Sequence, residues 1–179
     1  MQFVKSKKGG INMSNFIHFK GILTELHQTS SIFALTCQKQ EDNSTFILNL
    51  TKDTLLFHST SYEPLLVSEL KRGFFIHAYV RELQPAMMIF PPQFSPTLVL
   101  VNEKDLFYGN KVGTYNAETS LVEEDLRLNI SQNTKIIDAV GESIATEKLD
   151  GHDIAVFFKM STRSIPPQTT PQKIILLDD

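Results

Sequence analysis

The chain has 179 residues, 41% hydrophobic and 21% charged, which is the composition of an ordinary globular protein with one large or two small domains. Its single cysteine, Cys37, excludes an intrachain disulfide and a cysteine-built zinc site. The formal net charge of −3 comes with no basic stripe, and no apolar run approaches the roughly 20 residues that span a bilayer; both argue against a nucleic-acid partner or a membrane span and for a cytoplasmic protein.

In chain order, residues 1–12 read as a translated leader. Lys7-Lys8-Gly9-Gly10 before Met13 is what an A-rich stretch and a ribosome-binding sequence give in frame, which places the start at Met13; the alternative is a flexible basic tail. From Phe16 the alternation is that of β-structure. Phe16–Leu26 and Ser30–Lys39 form a predicted hairpin turning at His27-Gln28-Thr29, and a polar turn at Glu41–Ser44 leads into a strand at Thr45–Leu50. A strand at 54–57 and a loop at His58–Pro64 follow. Leu65–Lys71 has the spacing of a short helical turn, with Gly73 placed to terminate it, before a strand at Phe75–Val80. A proline-containing connection and a strand at Thr97–Val101 complete a first unit, residues 13–102.

Residues 103–179 repeat this order. Pro91, Pro92, Gln93 and Pro96 answer to Pro166, Pro167, Gln168 and Pro171 at a constant offset of 75, and each set leads into an aliphatic run. Leu48-Asn49-Leu50 and Thr54 answer to Leu128-Asn129-Ile130 and Thr134 at offset 80, and Gly73 answers to Gly151 at offset 78. The length differences fall in turns, as a shared core predicts. The linker Asn102-Glu103-Lys104-Asp105 has neither Pro nor Gly, so the units are expected to pack together. The predicted fold is all-β: two tandem small barrels of the oligonucleotide/oligosaccharide-binding (OB) kind, each with one short helical turn.

The second unit, with LDGHDIAVFF and MSTRSIPPQTTPQKIILL, resembles a small β-barrel domain of Gram-positive bacteria that carries a Ser-x-Pro-Pro-Gln step, and is similar to the secreted YobA-like domains. The likeness covers residues 105–178 well and 16–102 more loosely. Here the family's Gly-Asp pair is split by His152, and its Ser is kept as Ser164 in the second unit alone. The resemblance implies a β-barrel and no particular activity.

Two features could carry binding. The proline step is either a stiff edge before the last strand, because proline has no N–H to give a sheet, or a ligand loop offering Thr162, Arg163, Ser164 and Gln168, with Gln93 as the first unit's counterpart. Phe75, His77 and Tyr79 share one face of a strand, which either packs on the second unit or stacks bases or sugars; Phe157 is the equivalent of Tyr79. Met87, Met88 and Met160 near His77 invite Cu(I), although methionine is more often core filler. Glu123-Glu124-Asp125 is read as a solvated turn rather than a Ca²⁺ site. No catalytic residues, metal or cofactor are predicted, because no His-x-x-x-His, Gly-x-Ser-x-Gly or phosphate-cradling glycine loop is present. The expected function is a non-enzymatic bacterial binding module for a protein or small polar ligand. The alternatives are an OB-type nucleic-acid binder and a hydrolase working between the units.

Overall fold

The computed structural model describes residues 15–83 and 89–178. The predicted leader, Met87 and Met88 lie outside the described residues. The fold is all-β, in two seven-stranded sheets. The first contains β1 (Phe16–Gln28), β2 (Phe33–Gln38), β3 (Thr45–Leu50), β4 (Leu55–His58), β5 (Phe75–Arg81), β6 (Gln93–Phe94) and β7 (Leu98–Asn102). The second contains β8 (Gly109–Asn116), β9 (Leu121–Val122), β10 (Leu126–Leu128), β11 (Lys135–Ile137), β12 (Asp153–Phe158), β13 (Gln168–Thr169) and β14 (Lys173–Leu176).

The orders are β4-β7-β5-β1-β2-β3-β6 and β11-β14-β12-β8-β9-β10-β13, identical once each sheet is numbered from its own first strand. The hydrogen bonds correspond as well. Ile47 N–H donates to the Pro92 carbonyl and Arg127 N–H to the Pro167 carbonyl, each at 2.9 Å. The Thr54 hydroxyl donates to the Pro96 carbonyl at 3.0 Å, and the Thr134 hydroxyl to the Pro171 carbonyl at 2.8 Å. Each sheet has one 3-10 turn, Val67–Glu69 and Thr146–Leu149. The chain then leaves through Gly73 (φ 92°) or Gly151 (φ 75°), a left-handed conformation that glycine adopts without a Cβ clash.

The expected closed OB-like barrels are corrected: neither sheet is closed into a barrel. In the first, β6 lies parallel to β3 at one edge, and the same segment becomes β7 between β4 and β5 at the other end. Between β6 and β7 stands Pro96, which has no N–H to continue a ladder; Pro171 occupies the same place between β13 and β14. The sequence placed the first hairpin turn at residues 27–29, but β1 runs on through Gln28, and the Thr29 N–H meets the Ile32 carbonyl instead.

Alternation along the buried strands explains how the sheets meet. In β7, Val99 and Val101 point into the first sheet's own core with Leu23, Leu35, Phe46 and Leu48. Leu98 and Leu100 point the other way, into a core shared with Val112, Ala155, Phe157 and Ile175 of the second sheet. In β12, Ile154 and Val156 fill the second sheet's own core while Ala155 and Phe157 fill the shared one. Strands buried on both faces read as near-continuous apolar runs, which is why LVLV, IAVFF and KIIL lack polar alternation. The shared core is the seam between the two sheets.

Polar groups pin the seam at its rim. The Tyr62 hydroxyl donates to the Phe158 carbonyl at 3.0 Å, and the buried Lys173 ammonium donates to the Tyr62 carbonyl. Tyr62 itself has φ 58°, a left-handed conformation costly for a residue with a Cβ. Its two seam bonds hold it there.

Candidate functional site

The linker between the sheets does not leave a closed joint. Where residues 107–111 pass over the first sheet's seam face, they roof a cavity of about 440 Å³. Its floor is built by cross-strand pairing of β1 and β5, in which His18 lies opposite Tyr79 and Lys20 opposite His77. Residues two apart on a strand share a face, so Phe16, His18 and Lys20 stand in one row beside His77 and Tyr79. The roof is Phe107, Tyr108, Asn110 and Lys111, so the walls come from both sheets and the linker.

The rings are ordered by mutual packing. His18 stacks on Tyr79 with centroids 4.4 Å apart and 7° between planes, and His77 stacks on Phe107 at 3.6 Å and 5°. The two imidazoles meet edge to face at 4.9 Å. The Tyr79 hydroxyl donates to the Asn110 side-chain oxygen, which ties the floor to the roof. Burial pushes the Tyr79 hydroxyl's pKa upward, so it stays a donor.

Both imidazoles are held neutral. Burial, then His18 and Lys20, push His77 down to about 3. Burial, then Lys20, push His18 down to about 4. His77 Nδ1 is fully buried and has no hydrogen-bond partner among the described residues. A buried polar nitrogen left bare is uncommon in folded proteins and costs about 1–3 kcal/mol.

Among the described residues the cavity wall has no carboxylate. Its charged side chains are Lys20 and Lys111, and Lys111 is paired at 2.7 Å with the exposed Asp125 outside the cavity. On the far side of His18 and Lys20, a second hollow of about 320 Å³ is lined by Lys39 and Glu41.

The residues singled out from sequence fall in different places. Tyr79 is in the cavity wall and in the seam core, 7% exposed. Phe75 is on the same strand face but lies opposite Ile22 and Asn102, and does not line this cavity. Gln93 is in β6, where its side-chain oxygen accepts from Asn49 Nδ2 at 3.0 Å.

Thr162 and Gln168 line a separate groove of about 550 Å³ under the second proline step. There the Thr162 hydroxyl accepts from Gln168 N–H at 2.9 Å and meets the Ser164 hydroxyl at 2.6 Å, and Ser164 also donates to the Pro166 carbonyl at 2.9 Å. The Thr162 and Ser164 hydroxyls thus brace their own loop. Arg163 is exposed in that loop and does not line the groove. Met160 is 82% exposed at its edge, and His77 lines the seam cavity instead.

A larger hollow of about 650 Å³ includes Glu123, Glu124 and Asp150. Glu123 accepts from Thr114 N–H and Asp150 from Ala117 N–H, each at 2.8 Å, so these carboxylates cap backbone groups. Among the described residues, no group of three or more His, Cys, Asp or Glu is placed to hold a metal ion, and no helix is long and apolar enough to cross a membrane.

Sequence reasoning missed His18, Lys20, Phe107, Asn110 and Lys111. The available signal was the alternation Phe16-His18-Lys20, aromatic and basic on one strand face, matching Phe75-His77-Tyr79 on another. Nothing local shows that the two rows are neighbours. No protein family, curated protein or solved structure matches the chain.

Proposed function

We propose that the chain is a non-enzymatic binding module whose ligand is a small polar molecule held in the seam cavity. The observation that carries this reading is a hollow lined by residues of both sheets whose rings are already ordered by stacking. A pre-formed, ring-lined hollow with a few polar groups is the usual make-up of a small-molecule site, and 440 Å³ is within the usual size range. Catalysis finds less support there. Among the described residues neither imidazole is oriented by a carboxylate, and Tyr79 spends its proton on Asn110. Base stacking by the aromatic face also finds less support, since Tyr79 is buried in the seam.

We read the two sheets as tandem copies of one OB-like unit, on the strength of their identical strand order and matched proline-carbonyl bonds. In this reading the cavity is a product of the pairing: the second copy offers Lys111 and Asn110 where the first offers the rows of β1 and β5.

The test is ligand-observed NMR with a panel of small polar metabolites on the full chain, wild type against His77→Ala. At least one compound should show saturation transfer from the wild type and lose it with the variant. A panel that gives no transfer, or the same transfer from both proteins, defeats the proposal.

A further inference from the structure

We infer that the seam cavity selects a small planar carboxylate, held between the Lys20 ammonium and the stacked rings. This rests on the proposed binding role of the cavity and adds the sign and shape of its ligand.

The sign follows from what lines the wall. Among the described residues two ammonium groups border the cavity, one from β1 and one from the start of β8, and no carboxylate does. Lys111 is already paired with Asp125, whereas Lys20 makes no ion pair among the described residues. Lys39 and Glu41 share with Lys20 the hollow on its far side. An anion beside the Lys20 ammonium would offset the positive charge that Lys20 brings to the cavity wall.

The shape follows from the rings. His18 covers Tyr79 and Phe107 covers His77, and the outer rings of these two pairs, His18 and Phe107, line the cavity. Phe16 adds apolar wall beside them. Flat surfaces of this kind favour a flat guest, because offset stacking keeps most of the contact area. A compact tetrahedral oxyanion would satisfy Lys20 but leave the ring walls uncovered.

The probes are benzoate, benzamide, benzylammonium and inorganic phosphate, titrated into the full chain and followed by the His18 and His77 ring resonances. Benzoate should bind about tenfold more tightly than its near-isostere benzamide, equivalent to ~1.4 kcal/mol, and more tightly than benzylammonium or phosphate. Lys20→Met should erase the preference for benzoate over benzamide and leave benzamide affinity within about twofold, with an unchanged thermal melt showing that the fold is intact. If benzamide binds as well as benzoate, or benzylammonium binds better, the anion inference is wrong while the binding role stands. If phosphate matches benzoate, the planar part is wrong. If no probe shifts either ring at tens of millimolar, the inference falls, and the metabolite panel alone decides the binding role.

Discussion

Arg81 of the first sheet and Asp153 of the second meet at 2.5 Å across the seam, and the other arm of the same guanidinium reaches Asp178. Burial works to raise the Asp153 carboxyl's pKa, but hydrogen bonds from Thr114 and Arg81 hold it below the ordinary carboxylate range. The Asp153 side chain is 8% exposed and that of Arg81 33% exposed, so the pair is half-buried rather than superficial. Removing Arg81 strands a carboxylate that the remaining donors, Thr114 and Asn15, do not neutralise.

Arg81→Ala should therefore lower the unfolding free energy by about 2–4 kcal/mol, below the full cost of breaking a deeply buried pair because water reaches the arginine. Asp153→Asn in the Arg81→Ala background should recover part of that loss, since an amide has no charge to strand. Urea melts of the wild type, the single variant and the double variant check this. A loss under 0.5 kcal/mol for Arg81→Ala would show the contact to be ornamental.

The neutral state of His77 makes stability depend on pH in a definite direction. Its folded pKa of about 3 lies below the ordinary 6.5 of an unfolded histidine, so below 6.5 the unfolded chain takes a proton that the native state refuses. The contribution is present above 6.5 and is lost progressively as pH falls toward 3. With solvent screening at the part-exposed ring, the loss should be about 1–2 kcal/mol by pH 4. The measurement is the difference between wild type and His77→Asn in urea melts at pH 8 and pH 4.5, which subtracts the carboxylates common to both. A wild-type deficit that does not grow on acidification contradicts the assignment.

The matched threonines offer a test of like against like. Thr54 and Thr134 each tie a strand start to a proline carbonyl, but Thr134 is the buried one of the two. Thr54→Val should cost about 0.5–1 kcal/mol and Thr134→Val about 1–2 kcal/mol, because a buried carbonyl that loses its donor cannot recruit water as easily. Equal costs, or the reverse order in thermal melts, would mean the two bonds are not equivalent in environment.

In the second proline step, stability should respond to Thr162 and ignore Arg163. Thr162→Val removes the acceptor for Gln168 N–H and the partner of Ser164, and should cost about 0.5–1 kcal/mol. Arg163→Ala should stay within about 0.5 kcal/mol of wild type, as exposed substitutions do. A destabilisation of several degrees in the Arg163 variant would give that side chain a structural role in the loop.

The parts of this molecule that were readable from sequence are those decided by near neighbours. Thr45–Leu50 alternates and is a strand with those bounds; Gly73 and Gly151 mark the ends of short turns because the conformation there is local. The matched proline steps carried the correspondence between the sheets. The cavity was not readable, because it depends on which strands become neighbours. His18 and His77 are 59 positions apart, and on β1 alone the row Phe16-His18-Lys20 looks like a solvent face with one stray aromatic. Barrel closure failed as an expectation for a related reason. The proline that helped to identify the last strand also removes the N–H needed to carry a ladder through it.

The shared core has a consequence for how the molecule is made. At synthesis rates of roughly 5–20 residues per second, several seconds separate the completion of the first sheet from the arrival of the last strand of the second. For that interval Phe57, Tyr79, Leu98 and Leu100 have no Phe157 or Ile175 to cover them. A nascent chain in that state presents a sticky flank to whatever is nearby, including a sister chain on the next ribosome.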